Sequence, residues 1–296
     1  MQNSRISIAM IVRNEEAVLA RCLESVKDAD EIIIVDTGSV DRTKEIASIF
    51  TDNIYDFQWC DDFAKARNFA LAQCTGDWVL SIDADEFLEE GGIQKIRDFI
   101  SSYKDNVVNI KMFATNTPFF APRLFRNMKD IFWVGRIHEL PNVRSDNKID
   151  VQITYTSSPS HEYDLDRNIR ILKKEYLENP SNTRNMYYLG REYGYRKEYD
   201  KAIEVLTKYV EKSDFFAEKA DAYFIMALCY WYDGKSHGEL ARKSVFMALN
   251  INANFKAAIQ LMGHMSFEKN KVQWDRMAET ATNEDLLFIR NNYLTI

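Results

Sequence analysis

Short apolar runs alternate with amphipathic stretches through the first half of the chain, and helical spacing takes over in the second. Ile6 to Val12, Glu31 to Val35 and Trp78 to Ile82 have strand length, and the segments Glu16 to Lys27 and Asp41 to Phe50 between them are amphipathic. This alternation predicts an α/β domain, Rossmann-like, with a mixed but mostly parallel sheet and helices on both faces. Ligands of such sheets sit beyond the carboxyl ends of the strands. Asp36 and the run Asp83-Ala84-Asp85-Glu86 fall there.

From about Asp164, β-branched runs and glycines thin out, and Tyr, Leu, Ala, Glu and Lys recur at helical spacing. The turn-rich Ser157-Ser158-Pro159-Ser160 sets the expected boundary, giving an α/β domain over 1–160 and an all-α domain over 161–296. Met186-x-x-Leu189-Gly190-x-x-Tyr193, Ala202-x-x-x-Leu206 and Tyr209 match tetratricopeptide spacing, with Met in place of the usual Trp. Leu228, Tyr232, Ala241, Val245 and Ala248 repeat the pattern 39 residues on, and a degenerate third unit is expected from Phe255 through Gly263 to Ala278. Such repeats stack into a superhelix with a concave face. An ordinary helical bundle is the alternative.

Composition narrows the function classes. With 296 residues and 46% hydrophobic content, the chain can bury a core without staples. A net charge of −7 disfavours nucleic acid as a partner, because backbone phosphates demand a dominant basic face. Cys22, Cys60, Cys74 and Cys229 lie far apart with no metal spacing, and read as reduced thiols of a cytoplasmic protein. The N-terminal apolar run is too short for a signal peptide, and no stretch reaches the ~20 apolar residues of a transmembrane segment. Any membrane contact is expected to be peripheral.

The acids supply the chemistry. Carboxylates directly after a buried strand are costly unless something positive meets them, and a divalent ion carrying a nucleotide diphosphate is the expected partner. In an extended loop, Asp83 and Asp85 flank Ala84 and point to one side. Asp36 closes a strand, Gly38 gives turn freedom, and Ser39 or Asp41 is placed to cap the next helix; Asp36 as a plain turn cap is the alternative. Asp62 is placed as an N-cap for the helix carrying Arg67. Arg123 and Arg126 alternate with apolar residues as on a strand.

With these residues in view, the first half resembles the family 2 glycosyltransferases, nucleotide-sugar-dependent enzymes of the GT-A fold. The resemblance covers about residues 5 to 161. It is carried by Ile11-Val12-Arg13-Asn14-Glu15-Glu16, Val35-Asp36-Thr37-Gly38-Ser39-Val40-Asp41-Arg42-Thr43, Asp62-Phe63-Ala64-Lys65-Ala66-Arg67-Asn68, Asp83-Ala84-Asp85-Glu86 and Trp133-Val134-Gly135-Arg136-Ile137-His138-Glu139, in that order. The added repeat half looks like the subgroup of lipopolysaccharide-core glucosyltransferases and bacteriocin peptide S-glycosyltransferases.

The resemblance implies a site. Asp36 would hydrogen-bond the uracil, Val12 and Asn14 border the same pocket, Arg67 reaches the base, and Asp83 holds the ribose. Asp85 would meet a Mn²⁺ or Mg²⁺ ion, joined by the late His161, which is equally readable as a domain-junction histidine. Arg123 or Arg126 would neutralise pyrophosphate. Glu139 leads as general base, with Glu86 and His138 as competitors; the Glu-Asp pair that commonly supplies the base in the family is not found here. The expected activity is inverting transfer of a hexose or N-acetylhexosamine from a UDP-sugar to a protein, peptide or glycan acceptor. A catalytically silent nucleotide-sugar-binding or repeat scaffold is the second reading. A nucleotidyltransferase would need a Gly- and Lys-rich phosphate loop near the first strand, and the sequence has none there.

Overall fold

The apolar runs become the centre of an eight-stranded sheet in the computed structural model, which describes residues 4–114, 117–159, 164–234 and 237–282. The chain divides into two units, residues 1–167 and 168–296. In the first unit the strands are β1 (Ile6–Val12), β2 (Glu31–Asp36), β3 (Ile54–Asp56), β4 (Trp78–Ser81), β5 (Glu86–Leu88), β6 (Val107–Ala114), β7 (Thr117–Arg126), β8 (Trp133–Val134), β9 (Leu140–Pro141) and β10 (Lys148–Tyr155). Its helices are α1 (Leu19–Val26), α2 (Thr43–Ala47), α3 (Phe63–Gln73) and α4 (Gly92–Ile100). The large sheet runs β3-β2-β1-β4-β7-β6-β10-β5, and β8 pairs with β9 separately. β1 to β4 are mutually parallel, β7 runs against both β4 and β6, β10 is parallel to β6, and β5 is antiparallel to β10.

Both faces of the central strands are buried, which is why these runs are apolar without alternation. On one face, Ile6, Ile8 and Met10 of β1 with Trp78 and Leu80 of β4 meet Leu19, Cys22, Leu23 and Val26 of α1 and Ile93, Ile96 and Ile100 of α4. Those helix positions recur every three or four residues, the spacing of a single apolar stripe. On the other face Ala9, Ile33, Val35 and Val79 meet Ala64, Ala70 and Cys74 of α3. Each buried aliphatic side chain contributes roughly 1.5–3 kcal/mol, so these layers fix where the strand ends lie.

Two helices are shorter than their amphipathic segments. The amides of Asn14, Glu15 and Glu16 donate to Ser39 Oγ, Thr43 Oγ1 and Asp41 Oδ2, and α1 starts only at Leu19. Asn14 takes a left-handed φ of 55° to make that turn. Ser39 and Asp41, expected as caps, thus serve the neighbouring loop, and Asp41 also accepts from the Thr43 amide at 3.0 Å. α2 contracts to Thr43–Ala47.

The second unit is helical: α5 (Arg167–Glu178), α6 (Thr183–Tyr195), α7 (Tyr199–Lys212), α8 (Phe216–Tyr232), α9 (Gly238–Ile251), α10 (Lys256–His264) and α11 (Glu268–Thr280). Helix pairs begin at Thr183, Phe216 and Lys256; the second helices of the first two pairs, α7 at Tyr199 and α9 at Gly238, keep the expected 39-residue offset, and α8 starts earlier than that offset places it. Tyr187 and Tyr209 are fully buried with ring centroids 5.5 Å apart, and Tyr187 donates to the buried Asp221 at 2.5 Å. Among the described residues no helix is long and apolar enough to cross a membrane.

Gly190 is where α6 and α7 cross closely: a Cβ there would lie 2.5 Å from Cγ of the fully buried Leu206. Gly190→Ala is expected to lower the unfolding free energy by about 1–3 kcal/mol through overpacking, read from urea melts. An unchanged midpoint would mean that Leu206 swings aside without cost.

Candidate active site

The carboxyl ends of β1, β2 and β4 deliver Asn14, Asp36 and the 83–86 run to one edge of the sheet. Asp36 is 3% exposed, and its Oδ2 accepts the amides of Gly38 and Ser39 at 3.0 Å each. Gly38 permits this turn with φ of 106°. Asp36 Oδ1 is buried with no protein hydrogen-bond partner. An acceptor in that condition costs roughly 1–3 kcal/mol until a donor reaches it. Val12 is buried at the adjacent strand end, and its carbonyl accepts from Thr37.

Asp83 to Glu86 form a turn and not the expected extended loop: the Glu86 amide donates to the Asp83 carbonyl at 3.0 Å, and Glu86 Oε2 accepts the Asp83 amide at 2.9 Å. The turn gives the two aspartates different surroundings. Asp83 Oδ1 accepts from Arg67 at 2.8 Å, and its Oδ2 lies 3.3 Å from both terminal nitrogens of Arg123. Burial works against this charge, but the two guanidinium groups outweigh it and hold the Asp83 carboxyl well below the usual carboxylate range. At Asp85 the balance goes the other way. Burial, then the charges of Asp83, Glu86 and Glu15, push it up to about 7. Glu86, 4% exposed, accepts from Arg123 at 2.7 Å, yet burial prevails and pushes it to about 7 as well.

The arginines reach this point from two elements. Asp62 caps α3 by accepting the Lys65 amide at 3.0 Å. One turn on, Arg67 spends its guanidinium on Glu139 (2.6 Å), Ser81 (3.3 Å) and Asp83, and stacks 4.9 Å above the Trp133 ring. Asn68 exchanges two hydrogen bonds with the Trp133 backbone, which holds the 133–139 segment to the helix. Arg123 occupies a bulge: Val108 pairs with Leu124 and Asn109 with Pro122, leaving Arg123 as the extra residue. Bulges re-aim side chains beside functional sites, and this one turns Arg123 onto the acids. Arg126 instead donates to the carbonyls of Tyr103 and Asp105 and stacks on Trp78.

The structure therefore brings Arg67, Asp83, Arg123, Glu86 and Glu139 into one charge network, with Asp85 alongside. Of the expected bases, Glu139 and Glu86 are each engaged by an arginine, and His138 sits at a left-handed φ of 53°. His161 lies outside the described residues. Sequence reasoning missed three participants. Burial and the charge of Asp85 raise the proton affinity of the Tyr155 phenol. Thr156 donates twice to the Asp85 carbonyl. Ser158 donates to Glu15 at 2.6 Å. The only signal for them is that their strand ends at the same sheet edge.

No cluster of three or more His, Cys, Asp or Glu side chains is arranged to hold a metal among the described residues. Asp85 still fits one that arrives with phosphates, since Mg²⁺ at nucleotide sites needs only one or two protein carboxylates. Its raised proton affinity reports a surplus of negative charge that a cation relieves.

That surplus has a measurable sign. A carboxyl raised above its unfolded value keeps its proton to higher pH when folded, so the stability it contributes is full below about pH 4 and lost as pH rises through 7. In EDTA, Asp85→Asn is expected to raise the thermal midpoint at pH 8, with the gain shrinking to nothing by pH 4. A gain that is equal at both pH values would remove Asp85 as its source.

Comparison with known proteins agrees with this edge-of-sheet site. Residues 7–164 match the family described as Glycosyl transferase family 2, more than half of the 296 residues. A TPR repeat-containing protein of Synechococcus elongatus is 42% identical over 142 residues, 46% of this chain and 35% of that protein. The SPbeta prophage-derived glycosyltransferase SunS of Bacillus subtilis is 27% identical over 241 residues, 75% of this chain and 57% of SunS. The chain thus spans between about a third and just over half the length of these curated relatives. Among solved structures, residues 1–349 of S. aureus TarS in complex with UDP-GlcNAc superpose with a TM-score of 0.50 at 15% identity, covering 81% of this chain and 90% of that one. That likeness is one of fold. On the match across its sheet domain, the chain belongs to glycosyl transferase family 2.

Proposed function

We propose that this chain is a metal-dependent, inverting glycosyltransferase that moves a hexose or N-acetylhexosamine from a UDP-sugar to a protein, peptide or glycan acceptor. The observation that carries the reading is the pairing at one sheet edge of a buried acceptor atom, Asp36 Oδ1, with Asp85, a largely buried carboxylate crowded by Asp83, Glu86 and Glu15. Family membership and the fold shared with TarS, solved with UDP-GlcNAc, support the same class of donor.

In this reading Asp36 Oδ1 accepts a ring N–H of the base, which supplies the donor that the protein does not. Asp83 holds the ribose while keeping both arginines, because an ionised carboxylate has about four acceptor sites. Arg123, already committed to Asp83 and Glu86, steadies the acid turn. When bound beside Asp85, Mg²⁺ or Mn²⁺ supplies counter-charge for the diphosphate as it departs. The acceptor nucleophile loses its proton to Glu139 and bonds to the anomeric carbon from the face opposite the leaving group. The bond to the nucleoside diphosphate breaks in the same displacement. A protein or peptide acceptor is the preferred class, because stacked helix pairs commonly present a concave surface to extended chains.

Purified protein with Mn²⁺ and a panel of UDP-sugars tests this. Donor hydrolysis is expected in the wild type and is expected to vanish in Asp85→Ala. Glu139→Gln is expected to lower kcat for transfer by about 10²–10⁴-fold, with donor affinity little changed. Full hydrolysis in Asp85→Ala, or no binding of any UDP-sugar by the wild type, would overturn the reading.

A further inference from the structure

The two short strands β8 and β9 close a hairpin whose loop runs from Gly135 to Glu139. Trp133 pairs with Pro141 and Val134 with Leu140. Just outside them the backbone N–H of Asn142 donates to the Phe132 carbonyl at 2.8 Å, and Asn142 Oδ1 accepts the Phe132 amide at 2.9 Å. Strands of two residues hold little by themselves, since even a longer two-stranded hairpin is marginal in water. The loop is strained as well. His138, the residue before Glu139, has a left-handed φ of 53°, and a residue other than glycine stays in that region only where its surroundings over-determine it.

Helix α3 supplies what the hairpin lacks. The Trp133 amide donates to Asn68 Oδ1 at 2.7 Å, and the Trp133 carbonyl accepts from Asn68 Nδ2 at 2.9 Å. A carboxamide carries a donor and an acceptor side by side, so Asn68 makes the pair of bonds that a third strand would make along the open edge of β8. Earlier on the same helix, the Phe63 backbone N–H donates to the Arg136 carbonyl at 2.8 Å, and Arg67 donates to Glu139 Oε1 at 2.6 Å. The Trp133 ring, 5% exposed, packs edge-on to Phe125 with centroids 6.0 Å apart. The hairpin is thus tied to one helix at its strand, at mid-loop and at Glu139. The mid-loop tie is backbone and the Arg67 tie belongs to the charge network, so Asn68 is the tie that a side-chain change can cut while leaving every charge in place. Resting on the reading of Glu139 as the base that takes the acceptor's proton, we propose that Asn68 is its positioning residue. Asn68 fixes the strand from which the loop departs, and Arg67 then directs the carboxylate that the loop delivers.

A double-mutant cycle in the full-length protein tests this, with Mn²⁺ present and water standing in for the acceptor. The rate read is kcat for hydrolysis of the UDP-sugar that the wild type turns over fastest. Asn68→Ala is expected to lower it by about 10–100-fold, the scale of a misplaced reacting group, with UDP affinity unchanged. In a Glu139→Gln background the same substitution is expected to cost nothing further, because residues that act as a unit are not additive. Asn68→Asp has the same shape, keeps the acceptor for the Trp133 amide and loses the donor to its carbonyl; it should show a loss in the same direction and carries the cycle should Asn68→Ala not fold. If Glu139→Gln is slow and the Asn68 variants hydrolyse like the wild type, the positioning role is wrong and the base reading stands. If an Asn68 variant costs the same factor with and without Glu139, or UDP affinity falls with kcat, Asn68 is merely structural. A Glu139→Gln variant as fast as the wild type, or a wild type that hydrolyses no UDP-sugar, removes the underlying reading.

Discussion

The Asp83 carboxylate held between Arg67 and Arg123 is the interaction on which the site depends. Charges removed from water are tolerated only when each has an opposite partner at hydrogen-bond distance. Here the partners form an alternating series, Glu139 to Arg67 to Asp83 to Arg123 to Glu86. The series joins α3, the end of β4, the bulge of β7 and the segment after β8. Removing one member leaves its neighbours buried and uncompensated, so the segments are placed as a set.

The same series explains why Asp85 differs from Asp83, two residues away. Both arginines are engaged by Asp83, Glu86 and Glu139, and the charges of Asp83, Glu86 and Glu15 bear on Asp85. Asp83 is kept ionised by two guanidinium groups, and Asp85 sits in a surplus of negative charge. Two neighbouring carboxylates with opposite shifts in proton affinity take different parts at a site of this kind: Asp83 is a structural anchor with spare lone pairs, and Asp85 carries the raised proton affinity of a crowded acid. The turn that replaces an extended loop produces this division, because it takes the two side chains into different surroundings.

The helical unit obeys another constraint. Its close contacts are side chain into small residue, as Leu206 against Gly190, with buried tyrosines whose hydroxyls reach Asp221 and Glu218. Aromatic rings fill the space between helices, and their polar tips are satisfied by acids that would otherwise be costly inside.

Much of this was legible in the chain. Apolar runs buried on both faces read directly as central strands, stripes at three- and four-residue spacing read as α1, and acids placed straight after strands read as the functional edge, because these are local consequences of burial and backbone geometry. The spacing of Gly190, Leu206 and Tyr209 likewise announced helix pairs. What the sequence could not carry was pairing at a distance: Arg67 with a glutamate 72 residues on, the bulge that turns Arg123 onto the acids and leaves Arg126 elsewhere, and the Thr156 hold on the Asp85 carbonyl. A carboxylate's role follows from the charges around it, and those charges are assembled only when separate strands reach the same edge of the sheet. The sequence by itself therefore determined which acids stand at that edge, and the tertiary structure decided which charges surround each of them.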